Sequence, residues 1–124
     1  MLEAEDLTEK IIGAAIEVHR TLGLGLLESA YKECLCYEFA CLGLSFERQV
    51  PLPVVYKGVR LDCGYKMDIV VEGQVVLELK TVDKVLPVHE AQLLTYLKLS
   101  GIRVGLLFNF SCDLLRKDMK RRVL

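Results

Sequence analysis

Between Leu7 and Leu22 the apolar residues Leu7, Ile11, Ala14, Ala15, Val18 and Leu22 recur at spacings of three and four, the period of an amphipathic helix. Asp6 and Glu9 stand as a capping pair at its start. Gly23-Leu24-Gly25 breaks the period, and a second helical run starts near Leu27, continues through Tyr31, Leu35 and Phe39, and stops at Gly43.

The period then changes. From Phe46 to Tyr56 β-branched and aromatic residues accumulate, but Pro51 and Pro53 each remove a ladder donor, which predicts an edge strand or an irregular one. Lys57-Gly58 is a turn. A strand from Tyr65 to Val71, a turn around Gly73 and a strand from Val75 to Thr81 form a hairpin. Pro87 suits the first turn of a third helix running to about Ser100, where Gly101 ends it. Arg103 to Phe110 is a nearly continuous apolar run, expected of a strand buried on both faces. A right-handed crossover makes that strand and Val75 to Thr81 parallel neighbours. The expected order is ααβββαβ, an α/β mixed sheet flanked by helices.

Length and composition narrow the class. The 124 residues, 52% of them hydrophobic, suit a single domain spanning 1–124. A charged fraction of 27% argues against disorder, and no apolar run reaches the ~18 residues of a membrane span. The acidic opening Met1-Leu2-Glu3-Ala4-Glu5-Asp6 lacks the features of a secretory signal, so the expected compartment is the cytoplasm. The five cysteines are expected to be free thiols, with Cys34, Cys36 and Cys41 read as small apolar residues ahead of zinc ligands. A net charge of -1 neither supports nor excludes nucleic acid. Five of the 16 basic residues fall in Arg116-Lys117-Asp118-Met119-Lys120-Arg121-Arg122, which reads either as a source of phosphate contacts or as a solvated tail or helix face.

The hairpin carries the candidate chemistry. Phosphodiester hydrolysis uses a hard divalent cation on oxygen ligands, a positioned water, and positive charge near the phosphate. Glu78 and Lys80 are two apart on one strand and share a face, whereas Leu79 points to the core and leaves its carbonyl as a further ligand. Asp68, on the preceding strand, shares their face only in one register. A two-residue turn at Glu72-Gly73 would pair Asp68 with Leu77 and separate the carboxylates. A three-residue loop, Glu72-Gly73-Gln74, or an equivalent bulge sets Asp68 opposite Glu78. Glu-x-Lys alone ordinarily marks a solvated face; on an apolar strand beside helices, such charges are paired or bind metal.

The segment Gly25-Leu26-Leu27-Glu28-Ser29-Ala30-Tyr31 resembles the signature of the GxxExxY protein family, a branch of the PD-(D/E)XK nuclease superfamily. Ile16-Glu17-Val18-His19, Phe46-Glu47-Arg48-Gln49, Glu78-Leu79-Lys80 and Pro87-Val88-His89-Glu90-Ala91-Gln92-Leu93-Leu94 are similar to that family in the same order. The likeness spans about Leu7 to Leu115 and implies the restriction-endonuclease-like PD-(D/E)XK fold. It implies that Asp68 and Glu78 bind the metal with the Leu79 carbonyl, that Lys80 orients water and stabilises developing charge, and that Glu28 completes the metal site. Glu28 also reads as a helix-dipole carboxylate, and Tyr31 as either a residue stacked near the site or a core aromatic. Gln92 and Tyr96, four apart on one helix face, resemble the Gln-x-x-x-Tyr motif of recombination exonucleases, where these residues support the site and approach the substrate; the alternative is a polar patch. His19 and His89 are expected to be core or supporting histidines. Leu24 stands where the family often has proline, and Met67 precedes Asp68 in place of the superfamily's namesake proline.

The resemblance implies a Mg²⁺- or Mn²⁺-dependent nuclease acting on nucleic acid, DNA ahead of RNA, with no membrane association. Two other readings stay open: a catalytically silent module that binds nucleic acid or a protein partner, and a homodimer formed through an edge strand.

Overall fold

The computed structural model describes residues 4–124. Helix α1, Ala4–Leu22, buries Leu7, Ile11, Ala15 and Val18 along one stripe, and α2, Glu28–Cys41, buries Tyr31, Leu35, Cys36 and Phe39. Asp6 lies inside the first turn of α1 rather than ahead of it, because the helix already includes Ala4. The capping pair expected there is therefore replaced by acidic residues near the positive end of the helix dipole.

Among the described residues, five strands form one sheet in the order β1-β4-β5-β6-β7. They are β1 Phe46–Pro51, β4 Lys66–Val71, β5 Val75–Lys80, β6 Val104–Asn109 and β7 Lys120–Val123. Strands β5 and β6 are parallel, joined through α3, Pro87–Ser100; the other pairings are antiparallel. The sheet is thus mixed and flanked by helices. One apolar layer lies between the sheet and α1 and α2, and includes Ile69, Val71, Leu77, Leu79, Leu106 and Phe108. A smaller one, containing Val70, Val76, Leu107, Leu93, Tyr96 and Leu97, lies under α3. Gly105 permits the close approach of that helix, since a Cβ there would stand 2.8 Å from a Leu93 methyl carbon.

Two parts of the chain depart from the expected order. The strand anticipated from Phe46 to Tyr56 divides at its prolines into β1 and β2, Val54–Tyr56. After the Lys57-Gly58 turn, where both residues have positive φ, β2 pairs with β3, Val59–Leu61, as a separate two-stranded ribbon. The basic C-terminal stretch forms a short helix α4, Leu115–Asp118, and then β7, which runs along β6 from Leu107↔Lys120 to Val104↔Val123. Arg122 pairs with Glu90 of α3, so part of that stretch is a structural edge strand. Among the described residues no helix is long and apolar enough to cross a membrane, and all five cysteines are free.

Candidate active site

The β4–β5 hairpin pairs Val71 with Val75, Val70 with Val76 and Ile69 with Leu77. Its loop is therefore Glu72-Gly73-Gln74. Glu72 (φ 53) and Gly73 (φ 63) both occupy the left-handed region, and the Gln74 N–H donates to the Val71 carbonyl at 2.9 Å. Gln74 is the extra residue that shifts the register by one. Glu72 adopts its unfavourable φ with help from Ser45, whose N–H donates to the Glu72 carboxylate at 2.6 Å and whose carbonyl accepts from the Glu72 N–H at 2.9 Å.

One further step of this register sets Asp68 opposite Glu78. The ladder opens there on both sides: β1 pairs with β4 at Arg48↔Ile69 and Val50↔Met67, and the intervening Gln49 has a positive φ of 51. In place of a ladder bond, the Leu79 N–H donates to Asp68 Oδ2 at 2.9 Å. The next backbone group along, the Lys80 carbonyl, accepts from Phe110 of β6's side at 2.9 Å. Successive residues of a strand alternate their hydrogen-bonding edges, so the Leu79 carbonyl leaves β5 on the Asp68 side.

Glu78 is 4% exposed, one of the few buried polar residues. It shares a hydrogen bond with Asp68, and burial followed by that bond and the repulsion of Asp68 pushes its carboxyl from 4.5 up to about 9. Burial acts the same way on Asp68, but the bond to Glu78, the Leu79 N–H and Lys32 together outweigh it and hold its carboxyl below the ordinary value. The two shifts run in opposite directions, so a proton held by the pair is favoured on Glu78 over Asp68. Lys80 shares the Glu78 face of the strand, and its attraction partly opposes the rise at Glu78.

The helices enclose this pair from both layers. Glu28 opens α2; burial and the repulsion of Asp68 raise its carboxyl, against the pull of Lys80 and Lys32. Tyr96, on α3, is 4% exposed, and burial together with Glu78 and Asp68 pushes its phenol up to about 12. Its ring meets Tyr65 edge to face, with centroids 6.1 Å apart. Gln92 and Tyr96 line one surface cavity with Tyr65, His89 and Thr95. Asp68 thus acts electrostatically on Glu78, Glu28 and Tyr96, Lys80 acts on Glu78 and Glu28, and Gln92 lines the same cavity as Tyr96.

Tyr31 is elsewhere. It is fully buried and stacked on Phe110 at 4.6 Å, which matches the core-aromatic alternative of the two expected for it. Its hydroxyl donates to the Gly23 carbonyl at 2.6 Å and lies 3.4 Å from the Leu26 N–H, which fastens the glycine turn that leads into Glu28. His19 Nε2 bonds the Cys112 carbonyl at 2.8 Å, and His89 Nδ1 accepts the Leu86 N–H at 3.0 Å as a cap on α3.

Two residues had no part in the expected site. Lys32, one turn after Glu28 on α2, places Nζ 3.2 Å from Asp68 Oδ1; projecting α2 as a wheel from Glu28 would have put it on the same face. Asn109, opposite Lys80 across β6, is fully buried. Its amide donates to the Val82 carbonyl at 2.8 Å and to Asp118 at 3.0 Å, while its oxygen accepts from Val82 and Ser111. It pins the loop after β5, and the signal was a lone polar residue in an apolar strand.

The oxygen donors here are hard ones, two paired carboxylates, a third nearby and a main-chain carbonyl. They suit a Mg²⁺-like cation, which takes few protein oxygens and keeps water. They do not form a carboxylate cage: among the described residues no three His, Cys, Asp or Glu side chains converge as a metal cluster.

Comparison with curated proteins and with solved structures found no match. A family model described as the PD-(D/E)XK nuclease superfamily matches residues 5–122. That span runs from the first turn of α1 into β7 and includes every residue of the carboxylate cluster, and the chain belongs to the PD-(D/E)XK nuclease superfamily.

Proposed function

We propose that this chain is a single-domain, metal-dependent nuclease that hydrolyses phosphodiester bonds in DNA, from the GxxExxY branch of its superfamily. The observation that carries the proposal is the buried Asp68–Glu78 pair beside Lys80 at the opened end of the hairpin. Two carboxylates in contact at a place of low water access cost stability unless they serve a purpose.

In this reading Asp68, Glu78 and the Leu79 carbonyl hold Mg²⁺ or Mn²⁺, with Glu28 completing the set directly or through water. When bound, the cation lowers the pKa of attacking water and stabilises the departing oxygen. Glu78 gives up its proton as the site loads. Lys80 orients the water and offsets charge developing on the phosphate. Tyr96 keeps its phenolic proton, and with Gln92 offers hydrogen bonds to the substrate backbone; Tyr31 keeps Glu28 in place from below.

Supercoiled plasmid, linear duplex, single-stranded DNA and RNA, each incubated with Mg²⁺ or Mn²⁺ and again with chelator, test the proposal. Cleavage is expected with metal and DNA, and to fall by at least about a hundredfold in Lys80→Ala, the scale of losing one transition-state charge partner. Undiminished cleavage by Lys80→Ala, or none on any substrate, rejects it. A second reading, a catalytically silent nucleic-acid-binding module, is favoured by one observation: Lys32 already neutralises Asp68 without metal. Salt-sensitive DNA binding with no Mn²⁺ uptake would select that reading.

A further inference from the structure

Among the described residues, the Lys32–Asp68 pair is the least exposed ion pair. Its side chains are only 12% and 16% exposed, whereas Arg122–Glu90 is partly open to water and Arg20–Glu17, Arg48–Glu33 and Arg116–Glu9 are more so. Asp68 is also nearly saturated. Oδ2 accepts from Leu79, the carboxylate is bonded to Glu78, and Oδ1 is taken by Lys32. An approaching cation can reach Asp68 only at an oxygen where an ammonium or a protein proton already stands.

The base of Lys32 cannot retreat. Its neighbours Tyr31 and Leu35 are fully buried, and the Tyr31 hydroxyl is bonded to Gly23. Only the four-carbon stem can swing, which lysine does readily. Two positive groups at one buried carboxylate repel strongly, because little water lies between them.

We infer that Lys32 is a positioning residue that competes with the divalent cation for Asp68: it holds the carboxylate in place in the metal-free protein and withdraws when the cation binds. The inference rests on the metal-site reading above. It has two consequences that a purely structural ion pair lacks in combination. Removing the ammonium weakens the metal-free fold, since Asp68 is left with one fewer partner. It also tightens cation binding, since nothing has to be displaced.

Calorimetric titration with MnCl₂ and thermal unfolding in chelator, on the full chain, test this. Lys32→Gln is expected to bind Mn²⁺ at least about tenfold more tightly than the wild type, to melt lower in chelator, and to gain a larger rise in Tm on Mn²⁺ addition. Asp68→Asn serves as the control that removes the site. Should Lys32→Gln not fold, Lys32→Arg carries the test. A guanidinium grips a carboxylate with two bonds, and Mn²⁺ affinity then falls by about threefold or more. Wild-type Mn²⁺ uptake with equal or weaker binding by Lys32→Gln, or unchanged or tighter binding by Lys32→Arg, overturns the inference and leaves the nuclease reading standing. No Mn²⁺ uptake by the wild type or either variant overturns both.

Discussion

The hairpin carries two carboxylates that accept backbone N–H groups, Glu72 in its loop and Asp68 on β4, and they behave very differently. Each accepts a backbone N–H, Glu72 from Ser45 and Asp68 from Leu79, and each has its carboxyl lowered. At Glu72 the Ser45 hydroxyl and N–H do this at the molecular surface, and the effect ends there. Asp68 lies between two helical layers, where burial raises Glu78, Glu28 and Tyr96 and the charge of Asp68 adds to the rise at each. Hydrogen bonds fix the position of a carboxylate in both places. Burial is what lets that charge be felt by its neighbours.

Asp68 is where this contrast breaks most completely. Asp68→Ala takes away the acceptor shared by the Leu79 N–H and the Lys32 ammonium. The expected outcome is loss of cleavage to background and a Tm lower by about 5 °C or more; cleavage at the wild-type rate would show that this carboxylate is no part of the site.

A pH series sharpens the contrast at Glu78. Its carboxyl is raised in the folded state, so the stability it lends is fully present below 4.5 and is lost as pH climbs toward about 9. Asp68, lowered, contributes in the opposite sense only in acid. The metal-free protein is therefore expected to lose stability through neutral pH in urea titrations, and Glu78→Gln to flatten that slope; an equal slope in both proteins would place the proton elsewhere. The smallest effect belongs to Glu72→Gln. Its expected signature is a Tm within about 3 °C of wild type and full cleavage, and a large loss of cleavage would mean that the surface carboxylate reaches the site.

Much of this arrangement was legible along the chain. Helical periods located α1 to α3, Pro87 and Gly101 bounded α3, and the count between Val71 and Val75 decided which face Asp68 would occupy. What was not legible depended on distant parts of the chain. Lys32 meets Asp68 across 36 positions, and a lysine in an amphipathic helix ordinarily points to water. The ribbon was hidden because the apolar run continues through Pro51 and Pro53, and β7 because its basic residues mask the alternation of an edge strand. Tyr31, read as either a residue near the site or a core aromatic, is the core aromatic, and it is the next position, Lys32, turned by about 100°, that reaches Asp68.

The β2–β3 ribbon leaves a consequence for the protein in the test tube. Val55, Tyr56, Val59 and Leu61 are all exposed on it, and an isolated ribbon has two outer edges with unpaired backbone groups, a template for stacking against another copy. Lys57 at its turn and Arg60 on β3 give every ribbon positive charge, so two ribbons that meet repel one another. Salt shortens that repulsion to about 10 Å at 0.1 M. Turbidity of a concentrated solution is thus expected to rise with ionic strength, through residues outside the carboxylate cluster.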